Sequence, residues 1–289
     1  MAQLETTGLW QWAAWGDADS SPSASSGVVT GGDLALNPNL REYLGIGGQH
    51  MRRGGIVAAE PSITTILSAS TQGLVDYALR SAYPRGALTA MRVIGGADNW
   101  GMDYNNAYIN TLGLSCSADG NAVLSVAWAA MIPGVGSGGA QAAETALSME
   151  DWQWVVEFED NEYGVREWGF ELGNNVTLGR SMDTVAPGAR RLPNYALLGV
   201  EDLTVTLATG RPIPLATTGA ISDALPTDLA MTLTGINETD TCVVTLTDLA
   251  LTNAGAPFVG ANDQVLWPYE FKGNSQDGSL DWSWSGGGS

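Results

Sequence analysis

Apolar and polar residues alternate with period two along most of this chain, and that pattern predicts strands. Ser62-Ile63-Thr64-Thr65-Ile66 and Asp202-Leu203-Thr204-Val205-Thr206 are the clearest runs. Ile63, Leu203 and Val205 share one face, while Ser62, Thr64, Asp202, Thr204 and Thr206 share the other. The adjacent Thr64-Thr65 is the place to suspect a bulge. Further strand segments cover residues 88–94, 108–117, 123–128, 229–234, 242–252 and 265–271, separated by Gly, Asn, Asp and Pro turns. The period changes at residues 71–79, where Leu74, Val75, Ala78 and Leu79 form one face of a short helix. A weaker helical signal covers residues 220–225 and stops at Pro226.

The pattern occurs twice. Trp10-Gln11-Trp12 recurs as Trp152-Gln153-Trp154, and Leu34-Ala35-Leu36-Asn37-Pro38-Asn39-Leu40 matches Phe170-Glu171-Leu172-Gly173-Asn174-Asn175-Val176. A polar stretch follows each and ends in a double arginine, Arg52-Arg53 and Arg190-Arg191. An alternating strand, the helical signal and further strands complete each half. Features repeated in one order imply duplication. The expected domains are residues 1–145 and 146–289, joined through the Gly-rich run at 134–139 and the Ala-rich residues 140–146. The C-terminal Ser285-Gly-Gly-Gly-Ser289 is expected to be mobile.

Composition narrows the chemistry. Charged residues are 15% of the chain, against about 25% in an ordinary soluble domain. Low charge with 37 glycines suits a turn-rich β-protein whose surface is partly covered by partners. The net charge of −19 excludes a basic footprint for gripping nucleic acid. Lys272 is the single lysine. Cys116 and Cys242 are too few for a disulfide framework. The start, Met-Ala-Gln-Leu-Glu, lacks the pattern of a secretory signal, and no apolar run is long enough for a membrane helix. Synthesis in a reducing cytoplasm is the expectation.

Candidate catalytic groups carry little. His50 is the only histidine, so a zinc site and a His-activated nucleophile lack their parts. The Gly134–Gly139 run has no lysine for a phosphate loop. Asp151, Glu157, Glu159, Asp160 and Glu162 cluster among tryptophans, as carboxylates do in glycosidases. Trp152 and Trp154, however, share a strand face and read as core or interface anchors, which leaves the acids on a solvated turn. No enzyme activity, cofactor or metal is expected. The alternative from another class is a carbohydrate-binding or adhesin β-sandwich.

The order strand, long Gly/Asn/Arg loop, Ser/Thr-rich strand, short helix, then strands such as Tyr108-Ile109-Asn110-Thr111-Leu112-Gly113-Leu114-Ser115 resembles the tail tube proteins of long-tailed phages. The likeness covers nearly the whole chain, once per half. Asn174-Asn175-Val176-Thr177, Arg190-Arg191-Leu192-Pro193 and Leu203-Thr204-Val205-Thr206 carry it best, and residues 43–55 depart from it. The resemblance implies a mainly β fold with one short helix per half, in two tandem β-sandwich or barrel domains. Their strands would join a shared inner β-barrel. It implies stacked rings of sixfold symmetry, which a duplicated chain fills with three copies, inside a virion tail. DNA would cross the lumen without specific binding, and other tail proteins would meet the tube ends. Arg41, Arg52, Arg53, Arg180, Arg190 and Arg191 are then expected at the ring–ring contact, where arginine suits carboxylates of a neighbour. Ser62, Thr64, Asp202, Thr204 and Thr206 are expected on the lumen wall.

Overall fold

The computed structural model describes residues 12–16, 24–25, 29–37, 40–45, 48–53, 58–67, 71, 74–75, 78–79, 86–94, 98–117, 122–136, 153–158, 161–179, 193, 195–213, 229–236, 240–259, 265–273 and 280–286. Within them the chain is mainly β. The first half holds β1 (Trp12–Gly16), β2 (Ala24–Ser25), β3 (Val29–Asn37), β4 (Leu40–Gly45), β5 (Gly48–Arg53), β6 (Ala58–Ile66), β7 (Gly86–Ile94), β8 (Asp98–Ser117) and β9 (Val123–Gly136). The second holds β10 (Gln153–Phe158), β11 (Asn161–Gly173), β12 (Val176–Gly179), β13 (Tyr195–Leu198), β14 (Asp202–Thr209), β15 (Leu229–Ile236), β16 (Asp240–Ala254), β17 (Phe258–Val259), β18 (Val265–Gly273) and β19 (Leu280–Gly286).

One order of antiparallel pairing runs through both halves. In the first, β1 pairs β7, β7 pairs β8, β8 pairs β9, β9 pairs β6 and β6 pairs β3. In the second, β10 pairs β15, β15 pairs β16, β16 pairs β18, β18 pairs β14 and β14 pairs β11. The β1–β2 pair matches β10–β11, and the hairpin β4–β5 matches β12–β13. The register irregularities match as well. They fall at Val29/Gly31, Gly86/Leu88 and Ile109/Thr111 in the first half, and at Val165/Glu167, Leu229/Met231 and Leu251/Asn253 in the second. A bulge bends a strand and fixes its pairing, so the two halves share their bends as well as their strand order. The Trp-Gln-Trp repeat fits this register one residue out of step: Trp12 pairs Met91, whereas Trp154 pairs Gly235.

β8 and β11 join the halves, with Thr111 through Ser117 paired to Gly173 through Glu167. The long strands bend so that each serves two neighbours. β16 pairs β15 and β19 along its first part and β18 along its last. Asp248 lies at that bend with φ 53°, a left-handed conformation that Asp tolerates and β-branched residues resist. Asp248→Gly should be neutral or better, and Asp248→Val should cost about 1–2 kcal/mol. Denaturant unfolding of both variants would check the contrast.

The core follows from the alternation. Ile63, Leu112, Leu114, Leu124, Val126 and Trp128 are buried in the first half, and Val156, Leu203, Val205, Leu233, Val244 and Phe271 in the second. In the second half β10, β15, β16, β18, β14 and β11 close a ring of pairings. Its interior is filled. Phe158 and Phe271, from strands that do not pair, approach with ring centroids 6.2 Å apart, and Trp154 meets Trp168 at 4.3 Å. Any channel must therefore lie outside these packed interiors.

Several expected elements change. The Gly-rich run is not all linker, because β9 continues to Gly136 and pairs Gly134 with Asp103. Residues 137–146, with the expected domain boundary, lie outside the described residues. Ser285 and Gly286 belong to β19 and pair with Thr241 and Asp240 instead of trailing free. Of the short helix expected at residues 71–79, the described residues Leu74, Val75 and Ala78 are helical, and the Leu79 N–H donates to the Val75 carbonyl at 3.0 Å. Leu74, Val75 and Ala78 are buried there, which is the expected face. Residues 220–225 are outside the described set.

Candidate functional site

One sheet runs unbroken across both halves in the order β3, β6, β9, β8, β11, β14, β18, β16. Period-two alternation gives it a core face and a second, polar face. Register neighbours cross the polar face in rows. Thr64, Ser125, Gly113, Glu171, Thr204 and Lys272 form one row, and Ser62, Ala127, Thr111, Gly173 and Asp202 form the next. A third holds Val123, Ser115, Gly169, Thr206 and Glu270. Ser115, Ser117, Ser125, Glu167, Glu171, Asp202 and Thr206 are exposed, whereas Ser62, Thr64, Thr111 and Thr204 are half-buried. Ile63, Leu203 and Val205 sit on the core side. The expected split of apolar and polar sets is thus present on β6 and β14. The suspected irregularity at Thr64-Thr65 exists too, but its extra residue is Thr30 on β3, whose hydroxyl donates to the Thr64 carbonyl at 3.2 Å.

The face is hydroxylic, small and acidic. At Gly169 an added Cβ would stand 3.2 Å from the Leu114 carbonyl and 3.5 Å from the Thr206 hydroxyl, so the row stays low. Lys272 does not project alone: its ammonium lies 3.3 Å from the Asp202 carboxylate, with both side chains about half exposed. Such an exposed pair adds little stability but partners the chain's single lysine. Residues of adjoining strands, including Ser115, Glu167, Thr206 and Glu270, line one concavity of about 570 Å³ at the end of this face.

A two-stranded arm leaves each half where a loop was expected. In β4–β5, Arg41 pairs Arg52 and Leu40 pairs Arg53. In β12–β13, Val176 pairs Leu198 and Thr177 pairs Leu197. Because β3–β4 and β11–β12 correspond, the register matches Arg52-Arg53 with Leu197-Leu198, not with Arg190-Arg191. Sequence reasoning missed this because the arms differ in length. Arg180, Arg190 and Arg191 lie outside the described residues. The second arm is apolar instead: Tyr195, Leu197, Leu198 and Val200 are exposed, Leu197 at 59% and Val200 at 68%.

The second arm and the two halves meet around Asn174. This buried side chain donates from Nδ2 to the carbonyls of Ala78 at 3.0 Å and Ile109 at 2.9 Å, while its backbone N–H donates to the Asn110 carbonyl at 2.7 Å. Asn110, the extra residue of the β8 bulge, accepts the Val176 N–H on its side-chain oxygen at 2.7 Å. Asn175, with φ 49°, donates to the Val200 carbonyl at 2.6 Å. The sequence reading assigned none of these roles; the asparagine pair after a strand was the available signal.

Elsewhere the chemistry is sparse. Among the described residues no group of three His, Cys, Asp or Glu side chains could hold a metal. Trp128, Trp154, Trp168 and Trp282 are buried, and Trp267 and Trp284 are half-buried and packed against the core. These six tryptophans thus form or pack on the core and are not flat sugar platforms. Glu157 and Glu162 are exposed register partners on the β10–β11 hairpin. Cys116 and Cys242 are both buried, and burial pushes the Cys242 thiol up to about 12 and the Cys116 thiol upward too. Neither is a thiolate at neutral pH. Both should resist a thiol reagent such as DTNB at pH 8 in the native protein and react fully in denaturant; stoichiometric labelling of the native chain would contradict this burial. No protein-family model matches the chain, and neither does any curated protein.

Proposed function

We propose that this chain is a structural subunit of a phage-type tail tube, built as two tandem copies of one tube domain. Three chains form a ring of pseudo-sixfold symmetry, and rings stack around a lumen that conducts DNA. The observation that carries this reading is the continuous sheet through both halves with one polar, largely uncharged or acidic face. The repeated pairing order and the matched bulges support the duplication. Strand edges that no described residue covers, at β3 and at the end of β16, support assembly, because open edges in a stable protein are blocked or used.

The polar face is the lumen wall in this reading, with Ser62, Thr64, Asp202, Thr204 and Thr206 on it, joined by Ser115, Ser125 and Glu171. Duplex DNA carries one negative charge per ~1.7 Å of axis. Hydroxyls and carboxylates offer it no counterion-release binding, and the one lysine on the wall is engaged by Asp202. DNA therefore slides without being held. The arms reach the neighbouring ring, the first through Arg41, Arg52 and Arg53, and the second through its exposed leucines together with Arg180, Arg190 and Arg191. Other tail proteins would cap the ends. The role is mechanical, in the virion, with no chemical step and no cofactor.

Negative-stain microscopy and sedimentation of the purified protein test this. The expected result is rings or tubes with three chains per ring. Six chains per ring would remove the tandem reading. A stable monomer with affinity for a glycan would replace the tube with a carbohydrate-binding or adhesin module.

A further inference from the structure

β8 and the last part of β16 occupy the same place in the two halves, yet their surroundings differ. On β8, Leu112, Leu114 and Cys116 are buried because β11 lies alongside. The matched bulges align Ile109/Thr111 with Leu251/Asn253, so the equivalents of Leu112 and Gly113 are Ala254 and Gly255; one extra residue follows at 256–257, and Phe258, which pairs Leu266, takes the place of Ser115, which pairs Val123. Ala254, Ala256 and Phe258 are exposed, as are Val259 and Val265 beside them. What is missing is a strand in the place of β11. Its equivalent within the sequence is β3, which among the described residues pairs only with β6.

We infer that residues 253–259 of one copy pair antiparallel with residues 32–37 of a second copy, beginning at Asn253 in the register that β8 and β11 use inside the chain and taking up one extra residue at 256–257. Asn253 then faces Asn37, as Thr111 faces Gly173, and Gly255 faces Ala35, as Gly113 faces Glu171. This rests on the tube reading and gives its seam an address. The occupant is a second copy because the chain carries both edges and contains one finished example of their junction. Backbone pairing supplies the affinity, and the alternating pockets supply the register.

The seam between copies differs from the junction inside the chain. Inside, Asn174 and Asn110 tie the halves together through side-chain amides. The positions that match them in the other half of the sequence are Pro38 and Thr252. Proline has no amide to donate, and Thr252 turns its hydroxyl to the Glu270 carbonyl of its own sheet. The ring therefore alternates locked junctions with unlocked seams, and it comes apart at the seams.

Paired cysteines test the register. Opposed residues of an antiparallel pair have Cα atoms about 4.5–5.5 Å apart, within reach of a disulfide. Under mild oxidation, Asn37→Cys with Asn253→Cys should give covalent multimers ending at closed trimers. The slipped pair, Ala35→Cys with Asn253→Cys, should cross-link at least tenfold less. The native thiols are buried and do not compete. Rings that form but cross-link equally or better through the slipped pair, or through neither, would overturn the seam and leave the tube standing. A wild-type chain that stays monomeric in sedimentation would overturn both.

Discussion

Asn174→Ala is expected to destabilise the protein by about 2–4 kcal/mol, the largest effect of any single truncation outside the apolar core. The side chain is 4% exposed and donates to two carbonyls, those of Ala78 and Ile109, on separate segments of the first half. Truncation leaves both acceptors without these donors, and a buried polar group stripped of its partner costs about 1–3 kcal/mol. Asn174→Asp is the sharper test. A carboxylate there would face two carbonyl oxygens, which raises its folded pKa above the unfolded value. The folded state then binds more protons than the unfolded state, so this variant's stability should rise as pH falls through that raised pKa. Urea midpoints at pH 5 and pH 8 read this. If Asn174→Asp gained nothing on acidification, or Asn174→Ala cost under about 0.5 kcal/mol, the amide would not hold the halves together.

Lysines on the polar face should leave assembly intact and make the tube hold DNA. Ser115→Lys with Ser125→Lys is the most direct choice. Both residues are exposed, and their register partners are Gly169 and Val123 for Ser115, and Gly113 and Thr64 for Ser125, none of them acidic. A three-chain ring then gains six lysines. Six to ten phosphate contacts change affinity by about 10³–10⁵-fold between 50 and 200 mM salt, so retention should be steep in salt and absent in the wild type. Thr204→Lys should do less, because Thr204 pairs with Glu171, which would neutralise the new charge. Filter retention of a DNA fragment on purified tubes at several salt concentrations measures both. Unchanged retention by the double-lysine tubes would place the lumen on another surface.

Much of this architecture was legible in residue order. Alternation alone placed β6, β7, β14, β15, β16 and β18 to within a few residues, and it sorted Ile63, Leu203 and Val205 from Ser62, Thr64, Asp202, Thr204 and Thr206. A strand's two faces are set by its own side chains, so local pattern suffices. The common order of strands in the two halves was legible for the same reason, since each half needs its apolar faces in the same order. Their alignment was not. Trp-Gln-Trp is shifted by one residue, and Arg52-Arg53 matches Leu197-Leu198, because bulges and arm lengths alter register without leaving a mark in composition.

The remainder belongs to tertiary structure. Nothing in the runs around β8 or β11 says that these strands pair across the halves and make two sheets into one. That pairing depends on which edges remain open after each half has closed, a long-range outcome of packing. The extra Asn110 of the β8 bulge turns its oxygens toward Asn174 and Val176 only once β11 is beside it. Strands and their two faces could be read from residue order, because these depend on neighbouring residues. The tertiary structure decided the shared sheet, the amide lock and the open edges, because these depend on contacts between residues 65 and 96 positions apart.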